Sequence, residues 1–276
     1  MSPSPITLAV VPSTTPGDSR AALAAVCSEL GALLGTEVRG VNPESYEALI
    51  AEMQKDRVQY AWMSPALCVL SERHLMLRPV LTAVRGDRLD YCAALFVDAD
   101  SPYLDITHLA GKTVAWVDAT SASGYLVPRL HLASRGIDPA AFFGKELFLR
   151  SHAEVVRAVF DGRAQLGATY SELPKPDAAV ELRSGFRDVA PERNARVLES
   201  TGAIPNDVIA GHGLLTRDDH RVFGNAILTL AQRADGRELL YKAFHTGQFI
   251  STPRNALRPL WNLVERARMH GLLTQL

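Results

Sequence analysis

Asp118-Ala119-Thr120-Ser121-Ala122-Ser123-Gly124-Tyr125-Leu126-Val127-Pro128 is the stretch from which the rest of the chain can be read. Thr113-Val114-Ala115-Trp116-Val117 precedes it, a short apolar, β-branched and aromatic run with the character of a buried strand. Helical spacing follows it from Tyr125 to Gly136. A strand therefore ends in a loop of small hydroxylated residues, and a helix begins. Free N–H groups at such a helix start, with Ser and Thr hydroxyls beside them, form an anion site. Gly124 permits close approach of backbone and ligand. The loop has no Lys and no Gly-x-x-x-x-Gly-Lys pattern, so it is not a nucleotide P-loop. An ordinary helix N-cap would use the same residue types.

Upstream, strands alternate with helices. Ile6 to Val11, Thr36 to Val41 and Val58 to Met63 read as strands. Between them lie a helix with Leu23, Val26, Cys27, Leu30, Leu33 and Leu34 on one face, and another with Tyr46, Leu49, Ile50 and Met53 at helical spacing. This order argues for a parallel sheet covered on both faces. The character then changes. Two strands, Pro79 to Val84 and Tyr91 to Val97, flank a polar turn, and further strands fall at Leu147 to Leu149 and Gln165 to Tyr170. Ser151 opens a helix, with Glu154 three residues on as in a capping box. Residues 175–196 read as surface loop with one short strand, and the C-terminal region as mostly helix, its last segment Leu260 to Leu273. Two α/β units are expected, residues 1–90 with 205–276 forming one and residues 91–204 inserted as the other. Strand ends at Ser13, Ser64, Ser121 and Ser151 would face a ligand crevice.

Composition narrows the function. The chain has 276 residues, a formal net charge of −1 and 47 % hydrophobic residues, enough for a substantial core. It carries no basic stripe, which excludes nucleic acid as a natural partner. No apolar run spans a bilayer. Met1-Ser2-Pro3-Ser4-Pro5 shows no signal-peptide pattern, so the expected location is periplasmic where a leader has been removed and cytoplasmic otherwise. Cys27, Cys68 and Cys92 are odd in number, lack metal-ligand spacing and sit among apolar neighbours, as buried free thiols do. No cofactor or metal is expected.

With these elements in place, the chain resembles the phosphate/phosphonate-type substrate-binding proteins of ABC importers. The resemblance rests on Tyr60-Ala61-Trp62-Met63-Ser64-Pro65, Leu109-Ala110-Gly111-Lys112-Thr113-Val114-Ala115, Ser121-Ala122-Ser123-Gly124-Tyr125-Leu126-Val127-Pro128, Gly136-Ile137-Asp138-Pro139, Ser151-His152 and Ile204-Pro205-Asn206-Asp207, and on Tyr46 with Leu49 and Ile50. It implies a two-lobed type II periplasmic-binding α/β fold, each lobe a sheet flanked by helices, with a small anion as ligand and an ABC permease as partner. It also implies that Ser121, Ala122, Ser123, Gly124 and Tyr125 hold the anion. His152 would join them from a helix start, Tyr91 and Tyr170 from strands, and Tyr46 and Ser64 from the other lobe. Asp207, and secondarily Glu172, would receive an amine on the ligand. Ala122 stands where relatives often carry Thr, so one hydroxyl donor is missing.

Each of these residues has a plainer reading. His152 is also a first-turn helix residue, Tyr91 a sheet aromatic and Asp207 a turn residue after Pro205. Its ordinary pKa would let His152 make anion binding pH-dependent. Trp62 and Trp116 read as core. His212 falls near the crevice; His74, His108, His131, His220, His245 and His270 read as exposed. No Gly-x-Ser-x-Gly elbow is present and no catalytic residue is assigned. The competing function is a cytoplasmic enzyme or sensor on the same fold, acting on a small anionic metabolite.

Overall fold

The computed structural model describes residues 5–10, 18–86, 88–119, 121–173 and 183–271. The expected strand end at Ser13, the loop residue Thr120 and the loop segment 174–182 lie outside these residues, as does the side chain of His74. The chain opens with β1 (Ile6–Val10), α1 (Asp18–Leu34), β2 (Val38–Val41), α2 (Tyr46–Gln54), β3 (Tyr60–Met63), α3 (Pro65–Leu75) and β4 (Arg78–Ala83). It continues through β5 (Asp90–Asp98), a 3₁₀ turn at Ile106–Leu109, β6 (Thr113–Trp116), a π-helical turn at Ala122–Leu126, α4 (Val127–Ala133) and α5 (Pro139–Phe142). Then come β7 (Lys145–Phe148), α6 (His152–Phe160), β8 (Leu166–Ser171), α7 (Gly185–Val189), β9 (Ala195–Ser200) and β10 (Ile204–Pro205). It ends with β11 (Val208–Gly211), α8 (Arg217–Gln232), α9 (Ala234–Phe244), β12 (Phe249–Ser251) and α10 (Arg258–Met269).

These elements form two compact units, Met1–Leu89 with Asn206–Ala256, and Asp90–Pro205 with Leu257–Leu276. The first holds a mixed sheet in the order β12-β4-β11-β3-β1-β2. β1 pairs in parallel with β2 and β3, while β11 runs antiparallel to β3 and β4. Alternation along β3 sends Tyr60 and Trp62 to the face covered by α1, α8 and α9, where Phe223 stacks on Tyr60 with ring centroids 3.7 Å apart. α8 starts cleanly because Thr216 and Asp219 satisfy each other's backbone N–H groups in a reciprocal capping box.

The second unit holds a sheet in the order β10-β5-β8-β6-β7, with β9 also on β5. β6, β7 and β8 are mutually parallel; β5 is antiparallel to β8, β9 and β10. Both faces are covered, which is why β5 and β6 are nearly unbroken apolar runs rather than alternating ones. One face packs Ala94, Phe96, Ala115 and Val117 against Val155, Val156 and Val159 of α6 and Phe186 of α7. The opposite face packs Leu95, Val97, Val114 and the fully buried Trp116 against Leu132 and Phe143.

Several local expectations are met. All three cysteines are buried and outside any disulfide, and both Trp62 and Trp116 belong to cores. Others change. The region around residue 185 forms the short helix α7 instead of a strand, its Phe186 drawn under the sheet. β12 supplies an edge strand that the three-residue run Phe249–Ser251 was too short to announce. α10, expected with residues 1–90, packs on α4 in the second unit, so the chain passes between units at 89/90, 205/206 and 256/257. The Ser151 hydroxyl accepts the Glu154 N–H as expected, but the Glu154 carboxylate turns to Arg157. His220 and His131 are not exposed: His220, on the inner face of α8, has 7 % of its surface accessible, and His131 pairs with Glu199 at 2.7 Å.

Candidate functional site

In the second unit, the carboxyl ends of the parallel strands β6, β7 and β8 lie at one end of the sheet, and each delivers residues of the expected set. β6 leads into the Ser121–Gly124 loop, β7 into Ser151 and His152, and β8 carries Thr169 and Tyr170 just before its end at Ser171. Parallel α/β sheets bind ligands at this end, because helix starts and loop N–H groups gather there.

The loop after β6 is tightly wound. The Ser121 hydroxyl accepts the Gly124 N–H at 3.1 Å, and the Ser121 carbonyl accepts the Leu126 N–H at 2.8 Å, five residues on. That wider ring makes Ala122–Leu126 a π-helical turn leading straight into α4. Gly124 is required here by space, since a Cβ would lie 2.3 Å from Val117 Cγ2 and 2.8 Å from Ser121 Oγ. The N–H groups of Ala122 and Ser123 precede the first helical bond and have no acceptor among the described residues. Ala122 and Ser123 are themselves buried. Tyr125 has a packing role: its ring lies edge-on to Trp116, 5.4 Å from Phe148 and 5.0 Å beneath the Arg129 guanidinium, which Glu146 holds.

The path from β7 to α6 turns through Arg150, whose φ of 66° lies in the left-handed region that non-glycine residues avoid. The turn sets Ser151 as N-cap and His152 as the first residue of α6. The Nδ1 atom of His152 lies 3.0 Å from the hydroxyl of Thr169, and its ring stands edge-on to Tyr170 at 5.1 Å. Burial drives the His152 pKa down to about 4, against a smaller upward pull from the Asp118 carboxylate. The sequence expectation of a ring titrating near neutrality is therefore corrected: desolvation keeps His152 uncharged there, able to donate or accept but carrying no charge.

Tyr170 donates its hydroxyl to Asp188 at 2.8 Å, and burial followed by that bond pushes its pKa up to about 12. Asp188 also takes a guanidinium bond from Arg183, which holds its carboxyl below the usual range. Glu172 accepts the backbone N–H of Arg183 at 3.3 Å. Tyr91 is half-buried on β5, opposite Ile204.

The remaining expected residues belong to the first unit. Tyr46 opens α2 behind the Ser45 cap. Ser64, buried, precedes α3 and accepts the Leu67 N–H at 3.3 Å. Asp207 accepts a 2.7 Å bond from Arg85, and its side chain keeps 27 % exposure. Burial raises its carboxyl pKa and the Arg85 guanidinium works against that rise. His212 is buried, its Nδ1 accepting the Leu214 N–H. The sequence reading passed over Thr169, Asp188 and Arg85. Thr169 looks in sequence like any β-branched strand residue, and Arg85 like a turn residue 122 positions from its partner.

A family model described as the phosphonate periplasmic substrate-binding protein of ABC transporters matches residues 8–255. The chain belongs to that family. Solved structures agree on the fold. XAC2383 from Xanthomonas citri, solved bound to ATP, superposes with a TM-score of 0.76 at 19 % identity, over 99 % of this chain and 100 % of that one. A binding-protein component of an ABC phosphonate transporter from Pseudomonas aeruginosa gives 0.69 at 17 % identity, over 97 % and 87 %. PhnD1 from Prochlorococcus marinus, in complex with methylphosphonate, gives 0.65 at 17 % identity, over 98 % and 99 %. The fold is the type II periplasmic-binding fold, and the protein is a solute-binding protein for a small anion. Among the described residues no helix is long and apolar enough to cross a membrane.

Proposed function

We propose that the protein captures a small oxyanion, a phosphonate or phosphate, in the periplasm and delivers it to an ABC permease. The observation that carries this reading is the convergence, at the carboxyl ends of β6, β7 and β8, of the Ser121–Gly124 turn with His152 and Thr169. Ser123, the Ala122 and Ser123 N–H groups and the His152 ring are the donors assigned to the anion. Family membership supports the same ligand class, as does the methylphosphonate bound to PhnD1. Tyr91 and Tyr170, which belong to the same unit as the turn, are assigned to the rest of the ligand.

Calorimetric titration with methylphosphonate, inorganic phosphate, sulfate and ATP tests the reading, comparing wild type with Ser123→Glu. The added carboxylate puts a like charge at a buried position of the turn. Wild type should bind methylphosphonate or phosphate most tightly, and the variant neither. Equal affinity in both proteins would remove the turn from the binding site.

A further inference from the structure

Thr169 is fully buried in β8, and His152 Nδ1 is the one hydrogen-bond partner its hydroxyl has among the described residues. A hydroxyl brings one proton, which needs an acceptor, and a neutral imidazole has one protonated and one unprotonated nitrogen. Were Nδ1 protonated, it would donate to Thr169 Oγ1 and leave the threonine proton buried without an acceptor, a cost on the order of 1–3 kcal/mol. With the threonine donating instead, both groups are satisfied, the proton on the ring moves to Nε2, and that N–H is left for a ligand. The surroundings preserve this pairing: a Cβ on Gly185 would lie 2.0 Å from Thr169 Oγ1, so the first residue of α7 leaves the hydroxyl its room.

We infer that Thr169 is a positioning residue that fixes His152 as its Nε2–H tautomer, so that the site meets an anion oxygen with an uncharged N–H donor. This rests on the proposed role of His152 in anion binding. It adds a selection by acceptor: an Nε2–H bonds a deprotonated oxygen and offers nothing to a P–OH proton. Thr169 itself need not touch the ligand.

The test uses the full chain labelled with ¹⁵N in its histidine rings, as wild type, Thr169→Val and Thr169→Ser. Valine keeps the shape and removes the donor; serine restores the hydroxyl. Long-range ¹H–¹⁵N spectra report the tautomer without any ligand, and calorimetry with methylphosphonate reports affinity. Wild type should show a pyridine-like Nδ1 and a pyrrole-like Nε2. Thr169→Val should gain Nδ1–H character and lose about tenfold in affinity, the scale of one hydrogen bond to a charged group, and Thr169→Ser should recover both. A wild-type ring protonated at Nδ1, or a tautomer unmoved in Thr169→Val, overturns the inference about Thr169 alone. A tautomer that moves while methylphosphonate affinity stays constant overturns the contact between His152 and the anion, and the role of Thr169 falls with it.

Discussion

Replacing His152 with Asn should flatten the acid sensitivity of folding. Asn places a side-chain nitrogen or oxygen close to where Nδ1 sits, so the link to Thr169 can persist while the titrating group is gone. In the folded chain the His152 pKa is about 4, because the ring is buried; in the unfolded chain it returns to an ordinary value of about 6.5. The unfolded state therefore binds the proton first as pH falls. Stability contributed by the neutral ring is complete above about pH 6.5 and drains away as pH falls toward 4. Each pKa unit corresponds to about 1.4 kcal/mol, so the full shift is worth roughly 3 kcal/mol, and the part lost between pH 7 and 4.5 is about 2 kcal/mol. Urea unfolding of both proteins at the two pH values measures it. Carboxylates held below their ordinary range by hydrogen-bond partners, such as Glu199 and Asp188, are common to both proteins and cancel in the difference. The stability gap between wild type and variant should shift by about 2 kcal/mol in favour of the variant on acidification. A gap that does not move with pH would show that the ring is solvated in the folded protein, and the account of His152 as an uncharged donor would fail.

Two further outcomes follow from the packing. Gly124→Ala should destabilise the fold by about 1–3 kcal/mol and weaken methylphosphonate binding together, because the new methyl overlaps Val117 and the Ser121 hydroxyl; a melting temperature and affinity equal to wild type would mean the turn can open at no cost. His220→Phe should stabilise the first unit by about 1 kcal/mol in urea unfolding, since both ring nitrogens of His220 are buried without a hydrogen bond among the described residues and its ring already lies edge-on to Tyr60. A loss of stability there would reveal a partner for the imidazole.

What the sequence disclosed and what it withheld divide along one physical line. The strand before Ser121, the cap at Ser151 and the alternation of strands and helices are local patterns, written within a few residues, and they were legible. The candidate loop and histidine, which the fold brings to one end of the second sheet, could be picked out because hydroxyls and helix starts leave a signature in residue type; their binding of the anion is the proposal. The charge state of His152 was not, since it depends on Thr169 and Tyr170 closing over the ring from β8. Gly124 was read as leaving room for a ligand, whereas the group it first makes room for is Val117. The placement of α10 was hidden for a similar reason. An amphipathic helix declares that one face is buried, but says nothing about which sheet it covers.

An uncharged donor set also fits what a carrier must do. A lysine or arginine at the anion would add a strong charge pair, and a buried pair resists separation once formed. Hydrogen bonds from neutral donors to a charged group contribute about 1.5–3 kcal/mol each. On the proposed reading, the Ser123 hydroxyl, two backbone N–H groups and the His152 ring together offer roughly 6–12 kcal/mol before the costs of association are subtracted. Micromolar affinity corresponds to about 8 kcal/mol, so the set can hold the anion without trapping it. The Asp118 carboxylate, close enough to influence the His152 pKa, pushes in the same direction by disfavouring excess negative charge. Neutralising it as Asp118→Asn should therefore tighten methylphosphonate binding and leave the His152 pKa lower still. Weaker binding on that substitution would mean that Asp118 holds the loop in shape, and that its charge is not what sets the affinity.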